Sequence, residues 1–200
     1  MIMEALNLRL FDWLNAPAHA SQFLLMTADV FAIYVIYLVP LLLALGWLHR
    51  APGRQKGVLQ ALVACVMALG VNGVIGLFWN HPRPFVAHLG HTYLSHSATP
   101  SFPSDHMTIV TTVALTFLAY PGFRRIGAAL GLLSLGIAWS RIYLGVHYTM
   151  DMLGAVGVSA LCTLMARRLE ALYMPGLHRL TRRLYRRLFS PFIARGWLAR

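Results

Sequence analysis

From Phe23 to Met165 the chain alternates long apolar runs with short polar breaks, and the lengths of the runs decide how they read. Phe23 to Leu48, Gly57 to Trp79 and Ile126 to Leu144 are each long enough, as helices, to cross a hydrocarbon core of about 30 Å. A run from Asp105 to Tyr120 is shorter but extends to Phe123, and a further one covers Tyr148 to Met165. Five membrane-spanning helices are therefore predicted. Ahead of them, residues 4–14 alternate apolar and polar groups at roughly helical spacing. They are too short to span, which predicts an interfacial helix within residues 1–20 that Pro17 ends. Asp29 sits near the interface at the start of the first span. Between Asn80 and Ser104 the chain is polar and rich in proline, histidine and serine. Such a segment cannot lie exposed in lipid with its backbone groups unsatisfied, so it is extramembrane or packed on protein.

The pattern predicts an all-α fold: a polytopic transmembrane helical bundle, formed by residues 1–200 as one domain. Composition agrees, since 58% of residues are hydrophobic and only 12% charged, against about 25% charged in soluble domains. The net charge of +11 does not point to nucleic acid, because the cations lie between or after the spans. Five spans put His49 to Lys56, Pro121 to Arg125 and everything after Met165 on one side, with fourteen of the seventeen Lys and Arg residues. That side is read as cytoplasmic. In the tail from residue 167 to 200, Leu180, Leu184, Leu188 and Phe189 recur at helical spacing among arginines. This predicts an amphipathic helix on an anionic leaflet, rather than a merely solvated basic tail. No removable signal peptide is read at the N-terminus, and Cys65 and Cys162, both within apolar runs, imply no disulfide.

The same topology carries three polar clusters to the opposite, outward side: His81-Pro82-Arg83-Pro84, Pro103-Ser104-Asp105-His106, and Ser140 to Asp151. A charge near the bilayer centre costs roughly 2.5 to 3.5 kcal/mol, so such residues in an apolar chain need a reason. Two arginines, a serine and the start of a helix at Asp105 offer fork donors, a hydroxyl and backbone N–H groups, which match the oxygens of a phosphoryl group. Two histidines complete the set. One can attack phosphorus as neutral imidazole, the other can protonate the leaving oxygen, and a carboxylate four residues beyond His147 can orient the attacker. Taken singly the residues have plainer readings: Arg83 as an interfacial anchor, Ser104 as a helix N-cap, and His147 with Asp151 as a structural hydrogen bond. Their convergence on one side favours a site.

Arg83-Pro84, Pro103-Ser104-Asp105-His106 and Ser140-Arg141 with His147 and Asp151 resemble the three-part signature of the type 2 phosphatidic acid phosphatase superfamily. The surrounding segments, Phe78 to Phe85, Ser101 to His106 and Ala138 to His147, resemble its undecaprenyl-diphosphatase members over nearly the whole chain. The resemblance implies a phosphatase in which His147 is the nucleophile, Asp151 its charge partner and His106 the acid. Arg83, Ser104, Arg141 and the Asp105 backbone would hold phosphate. No cofactor or metal is implied. The implied partner is a polyprenyl diphosphate lipid in a bacterial inner membrane, hydrolysed on the outer face, with lowered sensitivity to bacitracin as a consequence. Phosphatidic acid or phosphatidylglycerol phosphate as substrate, phosphoryl transfer to a lipid acceptor, and non-enzymatic lipid binding or transport remain as alternatives.

Two positions depart from the superfamily pattern. Gly76 stands where a lysine is usual, and Asp105 where a glycine is usual; the Asp105 side chain is expected to point away from phosphate or to pair with an arginine. His81, His88, His91 and His96 crowd one loop without a closed zinc spacing, which favours polar surface or head-group contacts over a metal. Phe102, Trp139 and Tyr143 read as an interfacial aromatic belt, and Gly154 with Gly157 as a close helix contact.

Overall fold

The computed structural model describes residues 2–48 and 52–196. The start of the first basic loop, His49 to Ala51, and the Trp197 to Arg200 ending lie outside the described residues. Every regular element among those described is helical: α1 (Ile2–Leu14), α2 (Gln22–Asp29), α3 (Leu38–Leu48), α4 (Pro52–Phe78), α5 (Asp105–Leu118), α6 (Arg124–Tyr143), α7 (Thr149–Arg168), α8 (Glu170–Leu188) and α9 (Ser190–Ala194). A wide turn over Val30–Tyr34 and a tight one over Val35–Tyr37 join α2 to α3 into one rod. Pro40 accounts for the irregularity. It has no N–H for the Ile36 carbonyl, and its ring crowds that carbonyl.

Among the described residues four helices are long and apolar enough to cross a membrane: Gln22–Leu48, Gly53–Phe78, Pro121–Tyr143 and Thr149–Arg168. The fifth predicted span, α5, has only 14 residues, about 21 Å at 1.5 Å per residue. This short helix is enclosed by protein. α5 lies against α4, α6 and α7, and Thr108, Val110, Thr112 and Val113 on it are fully buried. Its contact with α6 is closest at Gly127, where a Cβ would stand 2.6 Å from the Leu118 backbone nitrogen.

Side chains sort as a bilayer requires. Val39, Val58, Val110, Phe117, Phe123, Leu130 and Ile137 fill one inner cluster, with Phe117 stacked on Phe123 at 4.2 Å between ring centroids. Leu77, Leu132, Leu135 and Val66 remain exposed on the outside of the bundle, where lipid is the apolar partner. A second cluster of Phe11, Met107, Ile142, Tyr148 and Met152 lies at the end where α5 and α7 begin, and it docks α1 there. At the opposite end Lys56 pairs with Glu170, which also accepts a hydrogen bond from Tyr120 Oη at 3.0 Å. α8 then turns back along α3 and α4, and Thr181, Leu184, Leu188 and Phe189 wall a cleft of about 340 Å³ with Leu43, Trp47 and Leu62. The described part of the tail is thus helical through Ala194, with the leucines and arginines of α8 segregated.

Candidate active site

The site is built where α6 gives way to α7. After Tyr143 the chain reverses through Gly145, at φ 78°. No other residue fits there: a Cβ would lie 2.2 Å from the His91 carbonyl oxygen, and this φ itself disfavours side chains. The Val146 and His147 N–H groups both return to the Arg141 carbonyl, at 3.1 and 3.3 Å, so the loop is folded tightly onto the helix end. Asp151, in the first turn of α7, then faces back. Its Oδ2 accepts the Tyr148 backbone N–H at 2.8 Å and His147 Nδ1–H at 3.0 Å. The Ser101 hydroxyl donates to the same oxygen. Three donors lock a carboxylate that is 1% exposed.

That network sets the imidazole tautomer. With its proton on Nδ1, His147 holds its lone pair on Nε2, and there Arg83 Nη1 donates at 3.0 Å. Burial pushes the His147 pKa down to about 3, against the pull of Asp151, and the Arg141 and Arg83 charges push the same way. The imidazole is neutral at any physiological pH, as an attacking group must be. Arg83 itself is held by Thr99 O (2.9 Å), Thr99 Oγ1 (3.2 Å), Pro100 O (3.3 Å) and Val146 O (3.1 Å). Burial lowers its pKa while Asp151 and Asp105 oppose the fall.

Arg141 and Ser104 are placed differently. Arg141 is 2% exposed. Its Nη1 reaches the Ala32 carbonyl at 3.2 Å, but among the described residues Nε and Nη2 have no partner, and neither has the buried Ser104 hydroxyl. Ser104 occupies the N-cap position of α5 but its side chain makes no capping hydrogen bond, so the plainer capping reading does not account for its hydroxyl, which is left over. The first N–H groups of α5, from Asp105 onward, have no intrahelical acceptor. Unsatisfied buried donors of this kind each cost about 1–3 kcal/mol. They fit an oxygen-rich anion.

His106 lies in the first turn of α5, half-buried, near enough to feel the charges of Arg141, His96 and Arg83. Among the described residues no hydrogen bond ties it to His147 or Asp151. The Asp105 carboxylate takes a hydrogen bond from Asn72 Nδ2 of α4, at 2.8 Å, in place of the arginine expected as its alternative partner. Gly76 faces Pro100, 3.4 Å from where a Cβ would stand.

The four loop histidines part company. His81 lies 3.6 Å from Glu4 and edge-on to Tyr148, His88 is exposed at positive φ, and the His91 backbone is bridged by Asn15. Only His96 meets the site, its ring 6.1 Å from that of His147. Among the described residues no three His, Cys, Asp or Glu side chains converge as a metal site would need. Phe102 serves the fold rather than an aromatic belt: it packs on Trp79 at 4.9 Å and takes the space that Gly154 leaves open. Gly157 has open space beside it, so no close helix contact explains it.

Ser101 and Thr99 escape the sequence reading, and His96 is marked there only as one of four loop histidines with surface or head-group contacts. Each sits in irregular chain, where no periodicity marks a side chain's direction; the signal for Ser101 is its place just ahead of the second cluster, three residues before Ser104.

A neutral, oriented imidazole beside two arginines, at one end of a helical bundle, is an arrangement suited to phosphoryl transfer. The chain belongs to the PAP2 superfamily, whose sequence model matches residues 57–173. It is a membrane phosphatase. It is 36% identical over 200 residues, 98% of this chain and 99% of the other, to the putative undecaprenyl-diphosphatase YbjG of Escherichia coli (strain K12). To the undecaprenyl-diphosphatase BcrC of Bacillus subtilis (strain 168) it is 32% identical over 170 residues, covering 85% of this chain and 87% of that one. Among solved structures it resembles Aquifex aeolicus LpxE, with a TM-score of 0.69 and 26% identity over 82% of this chain and 95% of that chain.

Proposed function

We propose that the chain hydrolyses undecaprenyl diphosphate to undecaprenyl phosphate and inorganic phosphate through a phosphohistidine. The observation that carries this reading is the His147 network: Nδ1–H fixed on Asp151, the Nε2 lone pair facing Arg83, and unpaired donors on Arg141 and Ser104. The terminal phosphate enters among Arg83, Arg141, Ser104 and the first N–H groups of α5. Arg83 Nη1 turns from Nε2 to a phosphate oxygen, which frees the lone pair to attack. As the N–P bond forms, the P–O bond to the lipid phosphate breaks and His106, which takes up a proton when the diphosphate's negative charge offsets the neighbouring arginines, gives that oxygen its proton. Asp151 stabilises the positive imidazole. His106, now a base, takes a proton from water, which attacks phosphorus, breaks the N–P bond and restores neutral His147.

The substrate assignment draws on the names of the two relatives. It also suits a cleft of about 460 Å³ lined by Leu69, Gly73 and Leu77 of α4 together with Arg83 and Asp105. A lipid chain along the exposed face of α4 would bring its head group to the arginines. The concentration of basic residues at the other end supports a site open to the periplasm or cell exterior, with the tail from residue 167 in the cytoplasm. Residues 1–200 act as one domain.

Phosphate release from a panel of lipids, measured on purified protein with EDTA present, tests the proposal. Undecaprenyl diphosphate is expected to outpace phosphatidic acid and phosphatidylglycerol phosphate, and His147→Ala to release nothing. Preference for a glycerolipid monophosphate would transfer the assignment to that class. Phosphate appearing on an added lipid acceptor would make the enzyme a transferase, and binding without release would make the chain a binder or transporter.

A further inference from the structure

The loop that covers the site carries one imidazole that the mechanism above leaves unused. His96 stands edge-to-face with His147, ring centroids 6.1 Å apart and planes at 76°. Its loop is pinned on both sides. Tyr93 N–H bonds to the Leu144 carbonyl at 3.1 Å and its hydroxyl to the Pro17 carbonyl at 2.6 Å, while Arg83 grips Thr99 and Pro100. His96 is therefore held over the nucleophile by hydrogen bonds on either side of it. Its Nδ1 lies 3.1 Å from the Ser97 carbonyl, to which an Nδ1–H donates, so Nε2 is the nitrogen left for another partner.

The charges around His96 are mismatched to a cationic ring. Arg83, Arg141 and the ring of His106 are near it, and among the described residues Asp105 is the carboxylate that bears on it. That carboxylate is already engaged by Asn72. Burial, with Arg83 and Arg141, holds the His96 pKa below its ordinary value, against the Ser97 carbonyl and Asp105. A half-buried imidazole pressed among cations, next to an arginine with unpaired N–H groups, is a poor arrangement for an empty protein. An anion in their midst reconciles it.

We propose that His96 is a substrate-contacting residue: with the anion bound its ring carries a proton on both nitrogens, Nδ1–H donating to the Ser97 carbonyl and Nε2–H to an oxygen of the phosphoryl group that Arg83 and Arg141 hold over His147. The loop then contributes a donor in addition to Arg83, Arg141, Ser104 and the first N–H groups of α5. This rests on the reading of the site as a phosphoryl-transfer centre, and it does not depend on which lipid carries the phosphate.

Three variants of the full-length enzyme separate contact from packing. His96→Phe keeps an aromatic ring against His147 without a donor, His96→Gln restores a donor, and His96→Ala removes both. Each is assayed for KM and kcat with undecaprenyl diphosphate and for inhibition by orthovanadate, a probe of the phosphate pocket alone. A hydrogen bond to a charged group of this kind corresponds to about ten- to hundredfold in affinity. His96→Phe is expected to raise KM and the vanadate inhibition constant by about that factor, and His96→Gln to recover most of it. Unchanged KM and vanadate inhibition in His96→Phe would overturn the proposal, and so would an equal loss in His96→Gln. If the wild type hydrolyses phosphatidic acid and not undecaprenyl diphosphate, the substrate reading fails by itself. The His96 comparison then runs on phosphatidic acid, with the vanadate arm and its expected outcomes unchanged.

Discussion

Replacing Arg141 by methionine should make the ligand-free protein more stable while abolishing its activity. The guanidinium is 2% exposed, has no carboxylate partner, and leaves Nε and Nη2 unpaired. Two such donors cost about 1–3 kcal/mol each in the folded state, and the one bond that methionine forfeits, to the Ala32 carbonyl, contributes about 1–3 kcal/mol. Methionine also fills a similar volume without a charge, a replacement that is commonly neutral or stabilising at buried ionic sites. The net expectation is a gain of about 1–3 kcal/mol, which for a chain of this size raises Tm by about 2–10 °C. Thermal unfolding in detergent, with and without orthovanadate, reads both halves of the argument. The wild type should gain several degrees on adding vanadate, since ligand binding to the folded state alone stabilises it. Arg141→Met should start higher and gain little, and should release no phosphate. A lower Tm for Arg141→Met without ligand would refute the claim that this arginine is held in readiness at a cost to the fold.

Other consequences concern the nucleophile and its support. Asp151→Asn removes the charge that holds the Nδ1–H tautomer, and kcat should fall about 10³- to 10⁴-fold in a phosphate-release assay, by analogy with carboxylate loss behind a catalytic histidine. Ser101→Ala deletes one of three donors to Asp151 Oδ2; the remaining two keep the oxygen satisfied, so kcat should drop about tenfold with KM little changed. Gly145→Ala, at φ 78° with the His91 carbonyl 2.2 Å from its new Cβ, should lower Tm and activity together. The pH dependence follows from His147, whose pKa falls from 6.5 to about 3 on burial. Between those values the unfolded chain takes up a proton that the folded one refuses, so this residue makes stability decline as pH falls through that window. Tm plotted against pH should therefore slope less steeply in His147→Gln than in the wild type, and equal slopes would contradict the burial of a neutral imidazole.

How much of this could be read from the chain depends on whether a residue's environment is set locally. The outward leucines of α4 and α6 advertise their lipid-facing role through length and hydropathy, and the span limits drawn from them lie within a few residues of the helix ends. α5 was harder to place, because its shortness makes sense only once α4, α6 and α7 surround it. Arg83, His147 and Asp151 were legible as a set because motif spacing survives in linear sequence. Ser104 was legible as a residue of interest but not in its state, since a serine before a helix predicts a cap and here forms none. Asp105 meets Asn72 across 33 positions, and Ser101 meets Asp151 across 50. No local pattern encodes such pairs, which arise from how the loop from Asn80 to Ser104 folds over the helix ends. The same holds for His96, one of four histidines that look equivalent in the sequence and have four different neighbourhoods in the fold.

Direct capture of the covalent intermediate bears most closely on the central claim. Undecaprenyl diphosphate labelled with ³²P in its terminal phosphate is mixed with the enzyme and quenched in denaturant under alkaline conditions within the first turnover. The account predicts label bound to protein through nitrogen, stable to alkali and lost in acid, present in the wild type and absent from His147→Gln. Phosphate release at the wild-type rate by His147→Gln, or label that persists on that variant, would contradict it.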